Sequence, residues 1–504
     1  MRVFDQIKVA ATLASVWAAA AATCVPRDVQ WAKLASKLSP SAKLYLPGTS
    51  AFDDAVARWS NLSTPVANAV VVPGTEHDVS ETVKFANQNA LPFLATNGVH
   101  GSITTLGKMT HGIEIHMSQL NSVQIARDGK TATIGGGILS KDLTDALWAA
   151  GKQTVTGTCE CVGYLGPALG GGHGWLQGHH GLVSDQFVSL RVVLANGSLV
   201  TVDSKSDLFW ALKGAGHNFG IVTSVTSKIY DLVHPNYAME TLIFSGDDVE
   251  AVYRTANEQW LTGNATQPVD IINWSYWFFD PTTDPEKPVI AFYIIQEGVD
   301  AVDDAHVAPF RAIGPIATQS QSGTYRDLAA WTGIDLAATP CQKTGNANPR
   351  FPIYLKQYSP AAQRQIYDLF RQATTNASTP YAGALFMFEG YSQQGVKALR
   401  DDATAFAYRE DNLLVAPLLT YAVPSDPAAR AALDARTQAL GDRFRQILYA
   451  ASGESTLHTY VNYAYGDETA RAWYGSEAWR QQRLRSLKRQ YDPQGRFSFY
   501  APVA

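Results

Sequence analysis

The chain is most informative first for what it lacks. Its 504 residues include only four cysteines, Cys24, Cys159, Cys161 and Cys341. A disulfide scaffold is excluded, because such scaffolds serve domains too small to build a core. The C-x-C spacing of Cys159 and Cys161 with scattered histidines is not a zinc pattern. His173, His179, His180 and His217 form no recognised metal spacing with a carboxylate or cysteine, so no metal is expected. Charge of one sign is also lacking. A net charge of −5 with 17% charged residues offers no footprint for nucleic acid or an anionic membrane. No G-x-G-x-x-G follows a first strand, so a nicotinamide dinucleotide site is not indicated. There is no internal repeat and no low-complexity segment beyond the N-terminus. The apolar run Val9–Ala22 is too short and alanine-rich to span a bilayer, which takes about 20 apolar residues. Arg2 and Lys8 before it, and small residues at Ala20 and Ala22, fit a signal peptide over residues 1–22. Five N-x-S/T sequons, at Asn61, Asn196, Asn264, Asn273 and Asn376, agree with a secretory route. Asn273 fits least well, because it sits in an apolar run.

What the chain does have is glycine, concentrated in one stretch. Thr156–Gly174 carries Gly157, Gly163, Gly166, Gly170, Gly171, Gly172 and Gly174 around Cys159. Such a run lets backbone approach a ligand and present N–H groups to anionic oxygens. Upstream, Leu91–Ala95 reads as a short strand delivering the turn Asn97-Gly98-Val99-His100-Gly101-Ser102. Downstream come Gly181–Asp185, Val193–Gly197 and Asp207–Thr223, the last containing Gly220 and Val222.

At 504 residues, two domains are expected. Short strands and helices alternate to about Tyr230. Longer aromatic strands follow at Ala238–Phe244, Val269–Phe279 and Val289–Gln296. Helices are signalled after Ser359-Pro360 and after Ser425-Asp426-Pro427. Ser140 is a plausible N-cap for a helix Lys141–Ala150, and Leu457–Tyr465 reads as a strand.

This ordered set of motifs resembles the berberine-bridge-enzyme-like oxidases of the vanillyl-alcohol-oxidase group, over residues 40 to 500. The N-G-V-H-G-S variant resembles the fungal natural-product, solanapyrone-synthase-like branch. The resemblance implies an α+β fold. A discontinuous two-part FAD-binding domain (40–235) is completed by a C-terminal element (451–504), and an antiparallel-sheet substrate domain backed by helices (236–450) is inserted between them. It implies FAD bound through His100 to the flavin 8α-methyl and through Cys159 to C6, because Gly157-Thr-Cys159-Glu-Cys161-Val162-Gly163 matches the cysteine motif in register. Thr96 and Val99 depart from the histidine motif, standing where the family often has arginine and glycine. Pyrophosphate is expected against Asn97–Ser102 and Gly170–Gly174. Gly220 and Val222 resemble positions at the adenine or isoalloxazine end, and Tyr460 and Asn462 match a Tyr-x-Asn strand lining the flavin pocket.

Oxidation needs a base, and the candidates are Glu389, Tyr460 and Tyr463. Glu389 ends an apolar strand, where burial raises a carboxyl pKa; an edge-strand carboxylate facing solvent is the alternative. Trp274, Tyr276 and Trp277 are candidate pocket walls, or ordinary core. The implied activity is oxidation of a small organic molecule with O2 as acceptor, by a secreted, monomeric protein. The alternatives are a carbohydrate oxidase and a flavin-retaining cyclase with no net redox step. The sequence leaves open how Cys24, Cys161 and Cys341 pair.

Overall fold

The computed structural model describes residues 29–263, 265–376 and 378–503. The proposed signal peptide, Cys24 and Asn264 lie outside them.

Three sheets carry the architecture. The first is mixed, with spatial order Lys43–Tyr45, Ala69–Val72, Ile113–His116, Phe93–Thr96. Ala69–Val72 is buried on both faces and pairs in parallel with Ile113–His116, which pairs in parallel with Phe93–Thr96. Parallel strands need covered faces, and the helix Glu76–Gln88 supplies one. Thr75 and Asp78 start it with a reciprocal capping box. Phe93–Thr96 ends directly in the His100 turn.

The second sheet is antiparallel, in the order Val123–Ile125, Thr131–Gly135, Ile221–Lys228, Phe187–Val193, Leu199–Asp203. The glycine stretch crosses beside it. Ser140 begins the helix Ser140–Trp148 and is not its side-chain cap. Its N–H instead donates to the Val162 carbonyl, which ties the helix to the glycine stretch.

The third sheet has seven antiparallel strands, in the order Ala317–Thr324, Asn236–Phe244, Val289–Glu297, Ile271–Phe278, Leu385–Gly390, Leu413–Leu418, Ile353–Leu355. Strand alternation divides its side chains between two faces. Trp277, Phe386 and Phe388 join Tyr253, Ile366, Phe370 and Phe444 of the helices Val249–Trp260, Pro360–Thr374 and Pro427–Ser452 in one core. Trp274, Tyr276, Met387 and Leu418 face the other way, into the core shared with the second sheet and the glycine stretch. Three of the seven strands carried no clear sequence signal. Ala317–Thr324 is a polar, exposed edge, Ile353–Leu355 has three residues, and Leu413–Leu418 contains Pro417.

The final residues return to the first two sheets. Lys488 Nζ donates to the carbonyls of Asn218 and Phe497, and the Asn218 side chain bonds Ala501 and Val503. Leu457–Tyr465 is not a strand. It runs extended and closes in a 3-10 turn, Val461–Tyr463, whose side chains bond neighbours instead of a sheet partner.

Asn273 is corrected as a glycan acceptor. It lies in an interior strand, is 1% exposed, and donates to the Tyr293 carbonyl. Asn196 and Asn376 are exposed, and Asn61 is half-buried against Gly345.

Candidate functional site

Two glycine turns interlock at the centre of the molecule. A Cβ on Gly98 would stand 2.7 Å from the Cys161 carbonyl oxygen, and one on Gly163 would stand 2.5 Å from Asn97 Nδ2. Both positions therefore require glycine, and the close approach they allow brings the His100 turn against the Cys159 turn. Val99 takes φ +53°, the left-handed region that a β-branched residue enters only at a cost of about 1–3 kcal/mol. The turn is thus held in the shape a glycine would accept freely.

Cys161 and Cys341 form a disulfide, which answers the pairing question and leaves Cys159 as the free cysteine among the described residues. Cys159 Sγ lies 3.6 Å from Cys161 Sγ and 3.7 Å from Cys341 Sγ. Near-equal distances to both sulfurs place it side-on to the bond, away from the in-line approach that exchange uses. The three sulfurs are also the one metal-sized cluster among the described residues, and two of them are consumed by the disulfide. His100 Nε2 lies 3.1 Å from Cys161 Sγ, and its ring stacks on Trp59 at 5.1 Å. Both candidate tethers therefore meet at the same disulfide. Burial, reinforced by Arg350, Lys343 and Arg58, pushes the His100 pKa down to about 3. Burial pushes the Cys159 thiol up to about 11. The disulfide closes a separation of 180 residues. Cys341→Ala is therefore expected to cost up to about 5 kcal/mol, the chain-entropy ceiling, against ~1 kcal/mol or less for Cys159→Ala. Urea unfolding with and without reductant measures both.

These turns line a cavity of about 330 Å³. Asn97, Gly98, Val99, His100, Gly101, Cys159, Gly163, Gly220, Val222, Glu389, Tyr460, Asn462 and Tyr463 all reach it. Ser102, Gly170, Gly171, Gly172 and Gly174 do not. The last four press against Asn462, Phe406, Val183 and the Thr156 carbonyl, so that run shapes the wall from behind and only His173 within it lines the space. His173 is buried between Gln177 and Tyr354 and its pKa falls to about 4. His179 bonds Glu297, His217 bonds the Gly166 carbonyl and His180 stacks on Tyr230, so the four histidines have separate partners.

Glu389 is 1% exposed on an interior strand, which removes the solvent-facing alternative. Tyr391 donates to its Oε2 at 2.8 Å and Tyr463 to its Oε1 at 3.0 Å. Burial raises its pKa against the pull of both hydroxyls and Arg350. Tyr460 stands apart from this network. Its hydroxyl accepts from the His173 N–H at 3.3 Å, and its ring meets Tyr463 edge-on. Trp274 and Tyr276 line the cavity, while Trp277 belongs to the helix-side core. Sequence reasoning missed Tyr391, although spacing i, i+2 from Glu389 puts both on one face. It also missed Arg350, which lies in an irregular segment without any pattern.

The residues present fit FAD. Arg58 Nη1, Thr96 Oγ1 and His217 Nδ1 belong to residues lining the cavity on the glycine-turn side and are buried without hydrogen-bond partners, Arg58 Nη1 lying 3.9 Å from Glu114 Oε2. A cofactor carrying phosphates, hydroxyls and ring nitrogens would satisfy them. The Asn97–Gly101 turn, His100 and Cys159 all line the space such a cofactor would fill.

A cavity of this kind, formed by glycine turns for a dinucleotide and closed by a sheet bearing one buried carboxyl, defines a flavin-dependent oxidoreductase. A family model described as an FAD binding domain matches residues 67–203. The chain is 55% identical over 503 residues to the FAD-linked oxidoreductase chyH of Penicillium rubens, covering 98% of this chain and 99% of that one. The solved structure of Physcomitrella patens BBE-like 1 matches with a TM-score of 0.77 at 23% identity, covering 94% of this chain and 98% of that one. Glucooligosaccharide oxidase from Acremonium strictum, described with a 6-S-cysteinyl, 8α-N1-histidyl FAD, matches with a TM-score of 0.75 at 18% identity, covering 94% and 99%. This chain belongs to the FAD-linked oxidoreductases, and its fold is that of the BBE-like 1 structure.

Proposed function

We propose that the protein is a secreted oxidase of secondary metabolism, acting on a small organic molecule by alcohol oxidation, dehydrogenation or oxidative cyclisation. Its FAD is held by both His100 and Cys159. FAD held by His100, Cys159 and the Asn97–Gly101 turn would supply a two-electron acceptor that O2 could reoxidise, giving H2O2. The FAD-binding part is residues 40–235 with the 451–504 element, and the substrate part is residues 236–450.

The observation that carries this reading is the Glu389 network. Its carboxyl is the acceptor on the sheet face of the cavity, held by two tyrosine hydroxyls whose own pKa values are raised, so both stay protonated donors. Glu389 takes the proton from the substrate hydroxyl or amine as hydride departs. Tyr391 and Tyr463 fix the carboxyl's orientation. O2 uptake and H2O2 release with panels of small alcohols, amines and oligosaccharides test it. Turnover of oligosaccharides alone would favour the carbohydrate-oxidase alternative, supported by the Acremonium neighbour. Product release without O2 uptake would favour a flavin-retaining cyclase.

The Cys161–Cys341 disulfide supports passage through an oxidising compartment. No helix among the described residues is long and apolar enough to cross a membrane. Glycopeptide mapping of protein secreted from a fungal host is expected to find glycan at Asn196 and Asn376 and none at Asn273. Occupancy at Asn273 would contradict its place in the core.

A further inference from the structure

The sheet side of the cavity carries polar groups of one kind. Trp274 Nε1 and Tyr276 Oη are buried without hydrogen-bond partners, in side chains that are 2% and 7% exposed. Arg350 Nε is likewise buried and unpartnered, and among the described residues no carboxylate comes within ion-pair distance of its guanidinium. The indole and guanidinium groups only donate, and a phenol can donate. The acceptor beside them, Glu389, already receives two tyrosine hydrogen bonds.

Arg350 is placed to serve this space. Its Cζ lies 4.1 Å from the ring centroid of Tyr463 and 5.1 Å from that of Trp59. Stacking holds the planar guanidinium and leaves its N–H edge free. Trp274 lies directly across from Glu389 in the paired strands and edge-on to Tyr391 and Tyr276. Around these donors the wall is Leu385, Met387 and Leu418. A cation that feels Glu389 only from beyond ion-pair distance, and two buried donors without partners, are costly unless a ligand meets them.

Building on the oxidase reading above, we propose that the substrate is a flat, largely apolar molecule bearing an oxyanion, a ring carboxylate or a phenolate. Arg350 holds the anion, Trp274 and Tyr276 complete its hydrogen bonds, and Leu385, Met387 and Leu418 cover the ring. Arg350 is thereby a specificity-determining residue that aims the substrate's hydroxyl or amine at Glu389.

Two matched pairs of probes test this on the holoenzyme: benzoate against benzamide, and 4-nitrophenolate against 4-nitroanisole. Binding is read by calorimetry and, in parallel, by the flavin difference spectrum. At least one anion is expected to bind about tenfold or more tighter than its neutral partner, as charge-assisted hydrogen bonds imply. Which pair shows the preference tells carboxylate from phenolate. Arg350→Met should abolish the preference, Arg350→Lys should keep part of it, and Trp274→Phe should weaken the anion alone. Equal affinity within both pairs, binding of none of the four, or a preference that survives Arg350→Met overturns the proposal. Should Arg350→Met fail to fold, the Trp274→Phe and Arg350→Lys results decide. Flavin absorbance of the same samples checks the oxidase reading separately, because calorimetry reads the anion preference whether or not the flavin is present.

Discussion

Glu389→Gln is expected to lower kcat by about 10²–10⁴-fold, the usual contribution of a positioned base, while bound flavin stays at the wild-type level. Glutamine keeps the shape, but its amide oxygen accepts from only one of Tyr391 and Tyr463, its NH2 donates to the other, and it cannot take a proton. Stopped-flow reduction of the flavin under anaerobic conditions isolates this step from reoxidation. The pH profile adds a second readout. Burial raises the Glu389 pKa, so the neutral acid persists to higher pH than an exposed glutamate would allow. The base must be ionised, hence kcat/KM of the wild type should climb as pH rises through that raised value and then level off. The Gln variant should lose this acidic limb. A Tyr463→Phe variant removes one stabilising hydrogen bond from the carboxylate, so the limb should move to higher pH. A Gln variant with near-wild-type flavin reduction would remove Glu389 from the mechanism.

The second large effect concerns the cofactor tether. After acid denaturation, His100→Ala and Cys159→Ala should each retain flavin on the polypeptide, and the double variant should release all of it, as intact mass will show. The two attachments should also differ in pH dependence. With its pKa pushed down to about 3, His100 is a neutral imidazole throughout the working range. Attachment in Cys159→Ala should therefore change little between about pH 5 and pH 9. With the Cys159 thiol pushed up to about 11, the thiolate is scarce at neutrality. It grows about tenfold per pH unit, and attachment in His100→Ala should accelerate accordingly. Acid-stable flavin in the double variant would place the tether elsewhere.

The motifs that make this protein a flavoenzyme were legible in its sequence because they are local. Two turns that pack this closely on each other need glycine where they cross, so Gly98 and Gly163 stand out beside His100 and Cys159 in the sequence itself. Helix starts at Pro360 and Pro427 were equally plain, since capping chemistry acts within one turn. Apolar, β-branched strands announced themselves, whereas the polar edge Ala317–Thr324 and the proline-bearing Leu413–Leu418 did not. Tyr460–Tyr463 carried the residues of a strand and yet closed into a turn, because their hydroxyl and amide groups found partners elsewhere in the fold.

What only the tertiary structure decided was every relation between distant residues. Cys161 rather than Cys159 joins Cys341, because the disulfide forms where the segment before Arg350 crosses the glycine stretch. Glu389 is a buried carboxyl, not an edge charge, because Leu413–Leu418 pairs alongside its strand. Gly170–Gly174 supports the wall instead of lining it, because Phe406, Val183 and Asn462 occupy the space a ligand would need. Arg350 has no sequence signature at all. Its meaning comes from what surrounds it, two aromatic rings and, among the described residues, no carboxylate within ion-pair distance. Backbone conformation answers to near neighbours in the chain, while charge, burial and reactivity answer to neighbours in space.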